Sequence, residues 1–397
     1  MKIKINSQIL ILYLFFFSLN YETLNTFGLG IDFLVTKITV SLLILFSLLN
    51  FKSSFSLHEY SKYLYPICIY FVLQVIISFL NRTSSFNHFF NVAQFLDLLI
   101  LIILANYVSF EPDILLKGLF VFSLSTILIS ILYFIEPETQ RMTAGKFIMI
   151  RSNIFGGNSN DIGIKLCMSL FILISLIFEN KLVMGKNRYL LLIFFPFLLK
   201  FLIDTGSRVA FIAFILGISV MFVIFIKRLG LNKKLNLLIL GSFLALCAYL
   251  FFLKNDTIIK RLHDAFYKGD LSDRGQIWSH VVHIISRNLF FGVGETGLAQ
   301  RMAGVSPHNV FLEVLACTGI VGFLIFFIFF CRILFAAFRK YRFNNELLPL
   351  VLFIPVLGAV LSGQIFEEKI YWVIFAFIIS NSKKISKTED GIDNFSY

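Results

Sequence analysis

Charge is scarce in this chain. Only 15% of its 397 residues are charged, 58% are hydrophobic, and the mean hydropathy is +0.85. Ordinary soluble domains carry much more charge, so that class is excluded. Paired cysteines are also lacking: Cys68, Cys167, Cys247, Cys317 and Cys331 all lie in apolar runs and form no CxxC. An odd set without that spacing argues against a disulfide framework and against a zinc site. No HExxH, Walker, haem-attachment CxxCH or nucleophile-elbow motif occurs, and Asp270 and Asp273 lack the D-x-D spacing with which many sugar transferases hold a divalent metal. The chemistry expected is therefore free of metal and cofactor.

What the chain does contain suits lipid as its solvent. Fifty phenylalanines sit among Leu/Ile runs, and a helical crossing needs about 20 apolar residues. The runs predict twelve spans near 5–20, 31–51, 64–80, 88–108, 115–135, 161–178, 189–203, 208–226, 235–253, 308–331, 347–366 and 369–380. The fold class expected is an all-α polytopic membrane protein of about twelve transmembrane helices with a long helical extracytoplasmic loop. Its divisions are 1–253 with nine spans and an outer loop at 136–160, a large outer loop at 254–307, three more spans at 308–380, and a cytoplasmic tail at 381–397. Lys2 and Lys4 before Ile9 to Leu19 look like a signal peptide, but no A-x-A-like site follows, so an uncleaved first span is expected.

The formal charge of +12 is spread in small basic groups between apolar runs, which indicates topology and membrane lipids as partners rather than nucleic acid. With the N-terminus inside, Lys2, Lys4, Lys52, Lys62, Lys117, Lys181, Lys186, Arg188, Lys227, Arg228, Lys233, Lys234, Arg332, Arg339, Lys340, Arg342, Lys383, Lys384 and Lys387 fall on inner segments. The short outer loops hold only Arg82, Arg208 and Lys369. The positive-inside rule then predicts that both termini are cytoplasmic.

Ionisable residues within the spans are few: Lys37, Asp97, Lys165, Lys200 and Glu313, each in the outer half of its predicted helix. Charge at membrane depth is costly and usually faces a wet cavity, so their shared depth predicts one polar cavity opening outward. Plainer readings stand beside this. Asp161 with Lys165 and Lys200 with Asp204 are spaced as helical ion pairs, and Asn91, Gln94 and Asp97 could join helices by hydrogen bonds.

In the long loop, Ile258, Leu262 and Phe266, followed by Gly269, mark one amphipathic helix. Ile277, Val281, Ile284 and Ile285, after Ser272 as N-cap, mark a second. Trp278 could anchor at the membrane interface or stack on a sugar ring. Residues 292–297 match G-x-G-x-x-G, but no βαβ unit fits there, so the glycines are read as a sharp turn toward the membrane. The run from Phe155 to Asp161 lacks a P-loop ending and reads as a turn.

Three stretches together resemble the O-antigen ligase and polymerase family. They are Asp204-Thr205-Gly206-Ser207-Arg208; Asp273-Arg274-Gly275-Gln276-Ile277-Trp278 followed by the 287–294 run RNLFFGVG; and Pro307-His308-Asn309-Val310-Phe311-Leu312 with Gly319 and Gly322 beyond. The resemblance covers about 140–335 and departs from the family pattern at Thr205, where a small residue is common, and at Leu289, where a proline is common.

The resemblance implies a metal-independent, polytopic glycosyltransferase of the GT-C-like class in the bacterial cytoplasmic membrane. It would transfer an undecaprenyl-diphosphate-linked oligosaccharide to a sugar hydroxyl at the outer face, with a chain-length regulator and a flippase as further expected partners. A polymerase is preferred, a ligase acting on lipid A core is the alternative, and a lipid-linked glycan transporter is the more distant one, since no internal repeat is visible.

Departure of a diphosphate needs fixed cations, and arginine binds phosphate oxygens bidentately. Arg208 at a helix start is the first candidate, or else a snorkelling flank arginine. Arg274 is the second, or else a solvated charge paired with Asp270. Arg151 is a third, or else an exposed loop residue. His308 is the expected general base, or else a helix-cap or interface residue, with Asn309 beside it. Glu313, deeper and facing another direction, is expected to orient an arginine, and Asn309, Glu313 and Trp278 are expected in substrate binding. Gly319 and Gly322 are expected to allow close helix packing.

Overall fold

The computed structural model describes residues 2–22, 32–56, 60–81, 92–107, 111, 113–135, 139–144, 147–152, 157–179, 185–228, 230–253, 255–267, 274–363, 366 and 368–380. Arg82, Asn91, Phe155, Lys181, Gly269, Asp270, Ser272, Asp273 and the tail at 381–397 lie outside the described residues.

The predicted apolar runs fall on helices. They are α1 (Lys2–Ser18), α2 (Asp32–Leu48) and, after the four-residue α3 (Phe51–Ser54), α4 (Ser61–Leu80), α5 (Val92–Tyr107) and α6 (Ile114–Ile135). A hairpin of β1 (Thr139–Ala144) and β2 (Phe147–Ser152) then precedes α7 (Ser159–Glu179). The seventh run is a 3-10 segment, Gly185–Phe194, continued by α8 (Phe195–Asp204), where Pro196 sits in the first turn. Next come α9 (Arg208–Arg228) and α10 (Leu231–Leu253). The long polar segment holds α11 (Asp256–Tyr267), α12 (Arg274–Arg287) and α13 (Gly294–Arg301), and the chain ends in α14 (Val310–Asn344), α15 (Leu348–Ser362) and α16 (Lys369–Ile379).

Among the described residues, five helices are both long and apolar enough to cross a membrane: α4, α6, α7, α9 and α14. With the shorter apolar helices beside them, this is a helical, polytopic membrane protein. The hairpin at 139–152 and the short α13 are additions that the hydropathy pattern did not predict. A further correction concerns the run predicted at 308–331: its helix continues to Asn344, and it is interrupted at Gly319, whose φ of 64° and ψ of −167° are not helical.

The chain divides into two compact units: Met1–Leu49, Asp113–Gly269 and Val351–Gly358 form the first, and Asn50–Pro112, Asp270–Leu350 and Ala359–Tyr397 the second. In the first, α7 is the central helix. It is predominantly apolar, as a helix enclosed by neighbours should be, and is buried along almost its whole length. Small residues set the close approaches: a Cβ on Gly217 of α9 would stand 2.1 Å from the Phe171 ring, and one on Gly118 of α6 would stand 2.5 Å from the Phe16 ring. This suits a lipid solvent, where packing rather than apolar burial draws helices together.

Polar groups join the same helices. Asn20 donates to the Phe122 carbonyl at 3.1 Å and to Thr126 Oγ1 at 3.0 Å, and Ser169 donates to Thr126 Oγ1 at 2.7 Å. Lys165 is buried and donates to the Leu19 carbonyl at 3.2 Å, so the turn that ends α1 receives its charge.

In the second unit, α14 packs along α4, with Tyr70 against Phe326 at 5.6 Å between ring centroids. Arg332 of α14 donates to the Lys62 carbonyl at the start of α4. Lys340 is buried and its ammonium donates to the Phe377 carbonyl of α16 at 2.6 Å. Replacing Gly217 with alanine forces a methyl group into the enclosed Phe171 ring and should cost about 1–3 kcal/mol. Gly241→Ala, whose nearest neighbour is a Phe222 ring atom at 3.6 Å, should leave stability nearly unchanged; thermal survival of the detergent-solubilised protein checks the pair.

Candidate functional site

The first unit builds its polar element at the junction of α8 and α9. Asp204 closes α8, Gly206 takes a φ of 61°, and Arg208 opens α9. Thr205 Oγ1 donates to the Leu202 carbonyl at 2.7 Å and accepts from the Ser207 amide at 3.3 Å. Ser207 Oγ accepts from the Ala210 amide at 3.4 Å and so caps α9. On the α7 side, a Cβ on Gly163 would stand 2.9 Å from Ala210 Cβ and 3.1 Å from Thr205 Oγ1, so only hydrogen fits there. Thr205, a departure from the pattern of the resembled family, is thus a bonding hub of this elbow.

The i,i+4 pairing of Lys200 with Asp204 is present as a salt bridge. Asp204 also accepts from the Tyr133 hydroxyl at 3.2 Å and from Asn255 Nδ2 at 3.2 Å. Asn255 caps α11 by accepting from the Ile258 amide at 3.1 Å, which docks that helix on the elbow.

A second cation follows from this docking. The Arg261 guanidinium donates to the Gly206 carbonyl, and Arg208 Nη1 donates to the Arg261 carbonyl at 3.2 Å. Two guanidinium groups beside a helix N-terminus favour an anion there. Sequence reading named Arg208 and missed Arg261. The signal was its place on the polar face of an amphipathic helix, which does not say where that helix docks. Arg151 lies on β2, opposite Gln140, and its side chain lies outside the described residues.

The second unit builds its element where α12 meets the start of α14. The buried apolar face of α12, formed by Val281, Ile284 and Ile285, packs with Ala316 and Cys317 of α14. This fixes the position of the polar residues at its beginning. Trp278 Nε1 donates to the carbonyl of Pro307 at 3.0 Å, the residue before His308. The indole pins the loop that carries the histidine.

His308 has a φ of 50°, a left-handed conformation that costs of order 1–3 kcal/mol for a non-glycine residue. Its amide donates to Ser306 Oγ at 3.3 Å. Asn309 then caps α14, its side chain accepting from the Leu312 amide at 3.2 Å, while its carbonyl accepts from the Glu313 amide at 2.9 Å. The strained residue is therefore held from both sides.

His308 is half-buried. Burial, and then the positive charge of Arg274, push its imidazole below the ordinary value of 6.5, favouring the neutral form. Arg274, at the first position of α12, donates to the Ser362 carbonyl at 3.1 Å. Glu313 is half-buried and within electrostatic reach of Tyr70 and Cys317, toward α4. The structure thus brings His308, Arg274, Asn309 and Trp278 together within the second unit, and places Arg208 with Arg261 in the first.

Fold and site define a polytopic helical membrane protein with guanidinium groups set at helix starts and a half-buried imidazole whose pKa is lowered by burial. Residues 192–327 match the family model Wzy_C, described as O-antigen ligase. Over these residues the chain is similar to an O-antigen ligase domain, which points to a membrane glycosyltransferase-like enzyme. The matched segment includes Arg208, Arg274 and His308. No curated protein matches the chain. Removal of the tie at the elbow should free α11: Arg261→Gln is expected to speed amide exchange across Asp256–Tyr267 while leaving exchange in α7 unchanged, as read by hydrogen–deuterium exchange.

Proposed function

We propose that this protein polymerises a bacterial surface polysaccharide. It transfers a glycan from undecaprenyl diphosphate to a sugar hydroxyl at the outer face of the cytoplasmic membrane, with both chain termini in the cytoplasm. The observation that carries the reading is the strained, half-buried His308 at the start of α14, within electrostatic reach of Arg274.

In the step proposed, the acceptor hydroxyl oxygen attacks the anomeric carbon, and its proton passes to the neutral imidazole of His308. The bond between the anomeric carbon and the phosphate oxygen breaks, and undecaprenyl diphosphate leaves. Charge grows on that diphosphate in the transition state, so fixed cations lower the barrier. Arg274 is assigned to this role, and Arg208 is assigned to phosphate binding on the strength of its own elbow. Arginines carry the charge stabilisation here in place of a divalent ion. Asn309, Glu313, Trp278 and Arg151 are assigned to substrate binding, with a flippase supplying the donor and a chain-length regulator acting on the product.

The description of the matched family favours a second reading, transfer of finished polymer to lipid A core. Donor and chemistry are shared, and only the acceptor differs. Deletion of the gene separates them. Lipopolysaccharide with single repeats is the expected outcome, whereas a bare core identifies a ligase.

His308→Ala should reduce polymer growth by about 100- to 10,000-fold with normal membrane insertion; near-normal chain length overturns the base assignment. Arg208→Lys keeps the charge and loses the bidentate fork, so polymer yield should fall strongly. The midpoint of the acid limb of the wild-type activity profile should lie below the ordinary histidine value, because burial and Arg274 hold the His308 imidazole down. Arg274→Gln removes a cation that disfavours protonation. The acid limb of the pH profile in that variant should therefore move to higher pH, and an unmoved limb rejects the coupling.

A further inference from the structure

Residues 288–293, between α12 and α13, are bonded through backbone to α14 on either side of its break at Gly319. The Val293 amide donates to the Ala316 carbonyl at 2.9 Å, and the Ile320 amide donates to the Leu289 carbonyl at 2.8 Å. The Val321 amide reaches the Phe290 carbonyl at 3.4 Å. Two glycines allow this approach. A Cβ on Gly292 would stand 2.5 Å from the Ala316 carbonyl oxygen, and one on Gly319 would stand 2.2 Å from the Phe290 carbonyl oxygen. The break in α14 therefore frees amides and carbonyls that the inserted chain takes up.

Depth follows from two helices of the same unit. The apolar part of α14 runs from Val310 to Cys331, ahead of Arg332, and at a helical rise of 1.5 Å per residue it is about 33 Å long, close to the apolar thickness of a bilayer. Residues 316–321 lie about 9–17 Å along it from Val310. The second measure is α4, whose Lys62 carbonyl accepts from Arg332 and so marks the other end. Gln74, about 18 Å further along α4, donates to Glu295 Oε2 of α13 at 3.1 Å. A Cβ on Gly294 would stand 3.4 Å from Ser78 Cα, one turn beyond Gln74. Both measures place residues 288–295 well inside the span. By contrast, Trp278 meets Pro307 at the His308 end, and His280 Nε2 lies 3.1 Å from the Arg301 carbonyl, so α12 enters beside α14 and α13 returns.

We propose that α12, residues 288–293 and α13 form a re-entrant helical hairpin that dips into the bilayer from the His308 end of α14, with Leu289, Phe290 and Phe291 resting on lipid acyl chains. Irregular backbone survives at membrane depth only where protein satisfies its polar groups, which the break at Gly319 does here. The three side chains are 46%, 65% and 61% exposed, a consecutive apolar group that lipid covers and water would not. Gln276, His280, His283 and Arg287 share a different, exposed helical face of α12, and polar groups at this depth require water. The inference uses helix lengths and contacts alone and does not depend on the transferase reading.

Site-directed labelling of the full-length chain tests it. The five native cysteines are replaced by serine or alanine, and single cysteines are introduced as Phe290→Cys, Phe291→Cys, His283→Cys and Val305→Cys. Open membrane fragments expose both faces, so the result does not depend on orientation. An impermeant maleimide should label positions 283 and 305 readily and positions 290 and 291 at least about tenfold more slowly. Nitroxides at 290 and 291 should collide with oxygen in preference to a polar nickel chelate. Equal labelling at 290, 291 and 305 overturns the proposal in favour of a surface loop. Slow labelling without lipid contact overturns it in favour of protein cover. Leu289→Cys replaces either phenylalanine variant if that variant fails to insert.

Discussion

A peptide amide inside a bilayer has no water to bond with, and this requirement governs the second unit. A long apolar helix meets it unaided, because each backbone group finds its partner one turn away. α14 gives up that solution at Gly319, and the unpaired groups on either side of the break are met by residues 289–293 of a neighbouring segment. This interruption, together with the apolar face of α12 against Ala316 and Cys317, sets the position of α12 against α14. The placement of Trp278 against Pro307, of Arg274 at the head of α12 and of His308 at the head of α14 follows from it. The strain at His308 is affordable only because both flanks are already fixed.

The first unit meets a similar need by different means. Its elbow between α8 and α9 turns at Gly206, and the freed carbonyls are taken by Thr205, Asn255 and Arg261. Arginines that bond a backbone carbonyl with one nitrogen retain further donors in the same planar fork. Structural bonding and anion recognition are therefore compatible in one side chain. The buried lysines follow the same logic: Lys165 and Lys340 are each received by a helix-end carbonyl, the negative end of a peptide dipole.

Several features of the site were legible in the residues themselves. The Asp204 to Arg208 run, the Arg274 run and the His308 run were each visible as motifs, and each proved to open a helix or a loop before one. The Lys200 and Asp204 spacing announced its own pairing. Arg261 was not legible, since its value comes from where α11 docks, more than 50 positions after its partner Gly206. Nor was the use of Gly319. A glycine in an apolar run reads as a packing position, and only the approach of Phe290 shows that it ends one helix and begins another.

Hydropathy, charge distribution and motif order fixed the class of this protein: a helical membrane chain whose apolar runs become helices because lipid leaves the backbone no other local choice. Those are one-dimensional properties, decided by neighbours within a turn or two. The tertiary structure decided which carbonyl receives which cation, where α14 breaks and how the histidine loop is pinned. Such contacts join residues far apart in the chain, and they depend on distances that packing alone sets.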